Sequence, residues 1–137
     1  MSTTGRAVRL VVLCLVACGW ATAAAAQSKQ TASEFYLAYR SALEKANSID
    51  DLAPMMSKGV RAQVESTPAD QRQAMFEFVK EMSGLMKVKV VKETKTANGV
   101  TLTVEGTAGA EKRTGQVQIV QEDGAWKMGK ESWSSKS

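Results

Sequence analysis

From residue 31 onward the apolar positions change their spacing once, and that change divides the chain. Phe35, Tyr39, Ala42, Leu43 and Ala46 recur at three- and four-residue steps and predict a helix that ends near Asn47. Its start is marked by Thr31-Ala-Ser-Glu34, a capping box in which the threonine oxygen takes one free amide and the glutamate reaches back to another. A second, shorter helix is predicted from Ser48-Ile-Asp-Asp51, carrying Leu52, Met55 and Met56, with Pro54 tolerated because it falls near the first turn. Lys58-Gly59 interrupts it, and Val60 and Val64 continue the apolar stripe to Glu65. Thr67-Pro68-Ala69-Asp70 opens a third helix with a cap, a proline at the first helical position and an acid in the first turn. Met75, Phe78, Val79 and Met82 form its expected buried stripe, with Phe76 and Met86 at the margin. Gly84 is placed to end it in the left-handed conformation.

After Gly84 the period falls to two. Val88 and Val90 alternate with Lys87 and Lys89, and with Lys92 these lysines read as the solvated face of a strand. Asn98-Gly99 is a strong hairpin signal, since both residues tolerate positive φ. Val100, Leu102 and Val104 then alternate with Thr101, Thr103 and Glu105. A loose turn over residues 106–110 leads to a strand with Val117 and Ile119 inward and Gln116 and Gln118 outward. Asp123-Gly124 makes the last tight turn, and a final strand begins with Trp126 and Met128 and runs to about Trp133. Three helices followed by a four-stranded antiparallel meander make an α+β fold, with one face of the sheet under the helices. One domain over residues 31–134 accounts for this pattern.

The residues before it have a different logic. Arg6 and Arg9 followed by the apolar run from Leu10 to Ala17 have the build of a secretory signal over residues 1–26, with Ala24-Ala25-Ala26 supplying a cleavage site before Gln27. Leu15-Val16-Ala17-Cys18 offers an alternative, a lipoprotein signal over residues 1–17, an acylated Cys18 and a tether over residues 18–30. Either way the chain is expected to be exported, periplasmic or secreted, or held to the envelope by lipid at Cys18, with no transmembrane span.

Composition narrows the chemistry. Histidine is absent, so every histidine-based triad or metal site is excluded, and no cofactor or metal is expected. The two cysteines, Cys14 and Cys18, both fall in the leader, so no internal disulfide framework is available. The formal charge of +4 falls to +2 once Arg6 and Arg9 leave with the signal, too small and too scattered an excess for nucleic-acid binding. Glycine-rich phosphate loops, nucleophile elbows and calcium loops are lacking.

The N-terminal Phe35-Tyr36-x-Ala38-Tyr39-x-x-Ala42-Leu43 helix, two further helices and the closing hairpin with Asp123-Gly-Ala-Trp126-Lys resemble the nuclear-transport-factor-2-like superfamily, in particular small exported or lipoprotein-type bacterial members. The resemblance spans about residues 31–134. It implies a strongly curved sheet wrapped against the helices as a cone, often with an apolar pocket at the open end. Enzymatic members resembling steroid isomerases or dehydratases use an acid or an Asp–His pair there, and this chain has no histidine.

Each candidate residue has a plain and a functional reading. The methionines Met55, Met56, Met75, Met82, Met86 and Met128 fill a core or line an adaptable pocket. Tyr36 and Tyr39 pack apolar bodies or supply a phenol donor. Asp50-Asp51 caps a helix or provides a buried base. Trp126 and Trp133, seven apart, fall on opposite faces under strict alternation and on the same face if a bulge near Gly129 resets the phase. No catalytic residue is assigned, and the candidate pocket comprises Tyr36, Tyr39, Met55, Phe78, Met82, Trp126 and Met128. The expected function is a non-catalytic envelope module binding a small apolar ligand or a protein partner. Alternatives are an isomerase- or dehydratase-like enzyme using a buried carboxylate and a homodimer paired through the sheet.

Overall fold

The computed structural model describes residues 30–135. The expected signal, its two expected cleavage sites and Cys18 lie outside the described residues. Helix α1 (Ala32–Lys45) begins as its capping box requires: Thr31 Oγ1 accepts from the Glu34 amide at 3.1 Å and Glu34 Oε2 accepts from the Thr31 amide at 3.2 Å. A 3₁₀ segment (Ile49–Met55) follows, then α2 (Lys58–Ser66) and α3 (Ala69–Leu85). Four helical segments therefore stand where three helices are expected. Ser57 is the reason: its side chain caps a new helix at the Val60 amide, and Glu122 accepts the Lys58 amide at 2.9 Å.

Two boundaries differ from expectation. Thr67 closes α2 rather than opening α3, so Pro68 becomes the cap and Ala69 the first helical residue. Gly84 stays inside α3 with ordinary φ, and the helix ends in the extended Met86.

Strands β1 (Lys87–Thr96), β2 (Gly99–Ala108), β3 (Glu111–Glu122) and β4 (Ala125–Ser135) form one antiparallel sheet in chain order. The sheet is open, with β1 and β4 at its edges. Asp123 and Gly124 take φ of 53° and 77° between the paired Glu122 and Ala125, the conformation a type I′ hairpin demands. The expected loose turn is tight: Gly109, at φ 62°, and Ala110 connect Ala108 to Glu111. At the first hairpin Ala97 and Asn98 form the turn without positive φ, and Gly99 already belongs to β2. Glycine is needed there for closeness, since a Cβ would lie 2.0 Å from the Ile119 carbonyl oxygen.

Each edge strand carries one extra residue. The β1–β2 register slips between Val90 and Lys92, and the β3–β4 register slips between Val117 and Ile119, opposite Gly129 and Lys130. Each slip turns a glutamate onto the face that α1 covers. Glu93, paired with Leu102, accepts from the amide and hydroxyl of Ser33 in the first turn of α1, where a carboxylate is favoured. Glu131, paired with Val117, accepts from Tyr36 of the same helix.

Phe35 and Tyr36 pack on Val100, Leu102, Val104, Val117, Ile119 and Met128, the main core. Leu43, Ala46, Leu52, Met56 and Phe76 form a second core at the helical end. The expected buried stripe of α3 is turned outward: Met75 is 58% exposed, Phe78 65% and Val79 46%, while Phe76 is 2% exposed. Phe76 and Ser83 are the face that α3 buries. Among the described residues no helix is long and apolar enough to cross a membrane.

Candidate functional site

An open pocket of about 340 Å³ lies between α1, α3 and the end of β4. Phe78, Val79, Met82 and Met86 form one wall, Tyr39 and Leu43 the second, and Trp133 the third. Arg40, Ser83, Arg113 and Glu131 complete the lining.

Glycines make room for the tryptophan. A Cβ on Gly115 would lie 2.8 Å from Trp133 Cε3, and one on Gly106 would lie 2.3 Å from Met86 Sδ and 3.0 Å from Trp133 Cζ3. The indole therefore rests against bare backbone of β2 and β3. The slip at Gly129–Lys130 puts Trp133 on this face together with Trp126, Met128 and Glu131.

A chain of polar contacts ties the three elements. Arg40, 9% exposed, donates through Nη2 to the carbonyls of Ser83 at 3.1 Å and Met86 at 3.3 Å. These are last-turn and cap carbonyls of α3, where a cation complements the helix dipole and adds a second donor at the Ser83 oxygen beside the Met86 amide. Arg40 Nη1 donates to the Tyr36 hydroxyl at 3.5 Å, and that hydroxyl donates to Glu131 Oε1 at 3.0 Å. Trp133 Nε1 donates to the same oxygen at 2.7 Å. Burial first, then the charge of Glu131, pushes the Tyr36 phenol well above its ordinary value, with Arg40 opposing. The same causes push Tyr39 up to about 12. Both phenols are therefore protonated at neutral pH, and the Tyr36 hydrogen is already spent on Glu131.

Ser83 and Glu131, both in the pocket lining, each keep a polar atom without a hydrogen-bond partner among the described residues. Ser83 Oγ is buried without a hydrogen-bond partner in a residue 5% exposed. Glu131 receives both its donors on Oε1, leaving Oε2 open. Arg113, by contrast, is held by Glu111, with Nε and Nη2 each 2.9 Å from Glu111 Oε1.

Of the seven candidate residues, the pocket brings together Tyr39, Phe78 and Met82. Tyr36, fully buried, stands behind it through Glu131. Met55 and Met128 belong to the main core and its margin, and Trp126 donates to the Gln30 carbonyl at 2.8 Å, so these three lie elsewhere. Asp51 Oδ2 accepts from the amides of Asn47 and Ser48, Asp50 is exposed, and neither lines the pocket. Arg40, Ser83, Glu131 and Trp133 are the additions. A second hollow of about 140 Å³ at the β1–β2 turn, lined by Thr96, Asn98 and Gln118 among others, contains no ionisable group.

Compared with protein-family models, curated proteins and solved structures, the chain matches none.

Proposed function

We propose that the chain is an exported, non-catalytic envelope module that binds a small apolar ligand in the pocket between α1, α3 and β4. The observation that carries this reading is the outward turn of α3: Phe78, Val79 and Met82 line an open pocket. Pockets of this size and mixed lining are the usual form of small-molecule sites. Helices followed by a meander, with α1 over one face, support reading the domain as a nuclear-transport-factor-2-like cone whose wide end is this pocket. The same apolar wall could receive a segment of an envelope protein.

Pairing of two copies through the other face of the sheet is the second reading. It is favoured by the uncharged centre of that face, the exposed Gln116 and Gln118 beside the half-buried Thr101 and Thr103, with the lysines Lys87, Lys89 and Lys92 kept to its β1 edge.

Native and denaturing mass spectra of protein taken from its own envelope test these readings. A native mass exceeding the denatured mass by a discrete non-peptide increment is the expected result. A bare single chain would overturn ligand carriage, and a bare pair would transfer the proposal to assembly. The denatured mass also separates a chain starting at Gln27 from one acylated at Cys18.

A further inference from the structure

Charge is sorted between the two sides of the sheet in a way that the small net figure hides. On β2 the buried Val100, Leu102 and Val104 alternate with Thr101, Thr103 and Glu105. The register therefore carries Lys92, Lys89 and Lys87 of β1 onto the outer face, opposite Thr103, Glu105 and Thr107. Lys112 of β3 pairs with Thr107 on that face, and Lys130 lies in the β4 slip opposite Gln118. All five lysines are exposed, and none has a carboxylate within ion-pair distance among the described residues. Glu105 is the one acid among them, since Glu122, toward the β3–β4 turn, is taken by the Lys58 amide. Inside this rim lies an uncharged floor of Thr101, Thr103, Gln116, Gln118 and Ser132. We propose, independently of the pocket, that the outer sheet face binds an acidic polysaccharide, its carboxylates on the lysine rim and its hydroxyls on the floor.

Charge complementarity requires an anion, and the floor narrows which one. The face is about 14 Å from β1 to β4, at ~4.8 Å between strands, wide enough for a chain of sugars rather than a single ion. Hydroxyls and carboxamides each offer donors and acceptors, the mixture that sugar hydroxyls need. Gln116 Nε2 already donates to Thr103 Oγ1 at 3.3 Å, so two floor side chains are held in place before any ligand arrives. Other polyanions fit less of the face. The bases of a nucleic acid would find no aromatic ring to stack on, since Trp126 and Trp133 lie with the core on the inner side. A lipid surface would satisfy the lysines but strip water from the floor without replacing its hydrogen bonds, and no aromatic side chain stands there to anchor in the interface. An acidic peptide in extended form bonds through its backbone, which a sheet edge receives and a sheet face does not.

The test is calorimetric titration of the protein with oligogalacturonate, with polyglutamate of matched charge and with phosphatidylglycerol vesicles, at about 0.05 M salt where surface charges are weakly screened. Oligogalacturonate is expected to bind at least about fivefold more tightly than polyglutamate, the scale of one net hydrogen bond. Replacing Lys89, Lys92 and Lys112 together by glutamine should weaken it at least about tenfold, the combined scale of exposed ion pairs. Removing the same charge from the helical side, with Lys45, Lys58 and Arg72 changed to glutamine, should weaken it no more than about twofold. Both triple variants change side chains outside the core and should keep the parental melting temperature. Gln116→Ala should narrow the margin over polyglutamate and leave polyglutamate binding unchanged. Absence of oligogalacturonate binding, or equal losses in the two triple variants, would overturn the proposed face. Equal binding of polyglutamate would reduce the face to unselective attraction and overturn the sugar, and tighter binding to the vesicles would replace it with a lipid surface.

Discussion

Helices α1 and α3 carry similar apolar periodicity and are held in opposite ways. Helix α1 buries Phe35, Tyr36 and Leu43 to 6% exposure or less, and its stripe is covered by the sheet and the helical core. Helix α3 commits Phe76 and Ser83, and leaves Met75, Phe78 and Val79 in the open. What α3 lacks in burial it makes up in cation-to-carbonyl contacts. Arg40 holds the Ser83 and Met86 carbonyls, and Lys80 Nζ donates to the Ala46 carbonyl at 2.6 Å. One helix is fixed by solvent exclusion and the other by a polar clamp. Only the second kind of fixing leaves an apolar face available to something else.

That contrast can be broken from its strong side first. Leu102→Ala, beneath α1 at 0% exposure, is expected to cost about 2–5 kcal/mol in urea denaturation, with both helices lost together. Arg40→Ala strips α3 of its clamp and should cost about 2–3 kcal/mol. Amide hydrogen exchange should rise along residues 76–86 more than along α1, and equal rises would mean that α3 is held by burial after all. Alkaline pH gives a smaller effect with a defined sign. Tyr39 is raised from 10 to about 12 in the folded protein, so its contribution is complete below pH 10 and is lost as pH rises toward 12. The urea midpoint should fall across that window in the parent and fall less in Tyr39→Phe. Phe78→Ser, at 65% exposure, should change stability by no more than about 0.5 kcal/mol while weakening binding of an apolar ligand in the pocket. A large stability loss there would place Phe78 in the core.

The elements that read correctly from sequence are those whose causes are local. The Thr31–Glu34 box and the Asp123-Gly124 turn are written within four residues of themselves. Long-range causes were not legible. Periodicity marked Met75, Phe78, Val79 and Met82 as a stripe, but which side of α3 meets the rest of the molecule depends on Arg40, which lies 43 residues from its partner Ser83. An arginine between Tyr39 and Ser41 has no sequence mark of burial. Glu131 is hidden for a different reason: its face depends on an extra residue in β4, the same slip that moves Trp133. Gly99 and Gly84 show that a glycine signals permission only. At Gly99 the permission was used for close approach of strands, and at Gly84 it was not used.

The two extra residues in the edge strands bear on how the protein behaves when other chains crowd against it. An open sheet ends in unpaired backbone groups that can template the addition of foreign strands, the first step toward fibrils. Here β1 breaks its own ladder at Val91 and presents the exposed Lys87, Lys89, Lys92 and Lys95 along its length. Strand β4 breaks its ladder at Gly129–Lys130, beside the point where the Ser57 amide caps the Met128 carbonyl at 2.9 Å. The irregularities that aim Glu93 and Glu131 at α1 thus also deny a neighbouring chain any long, regular edge to extend.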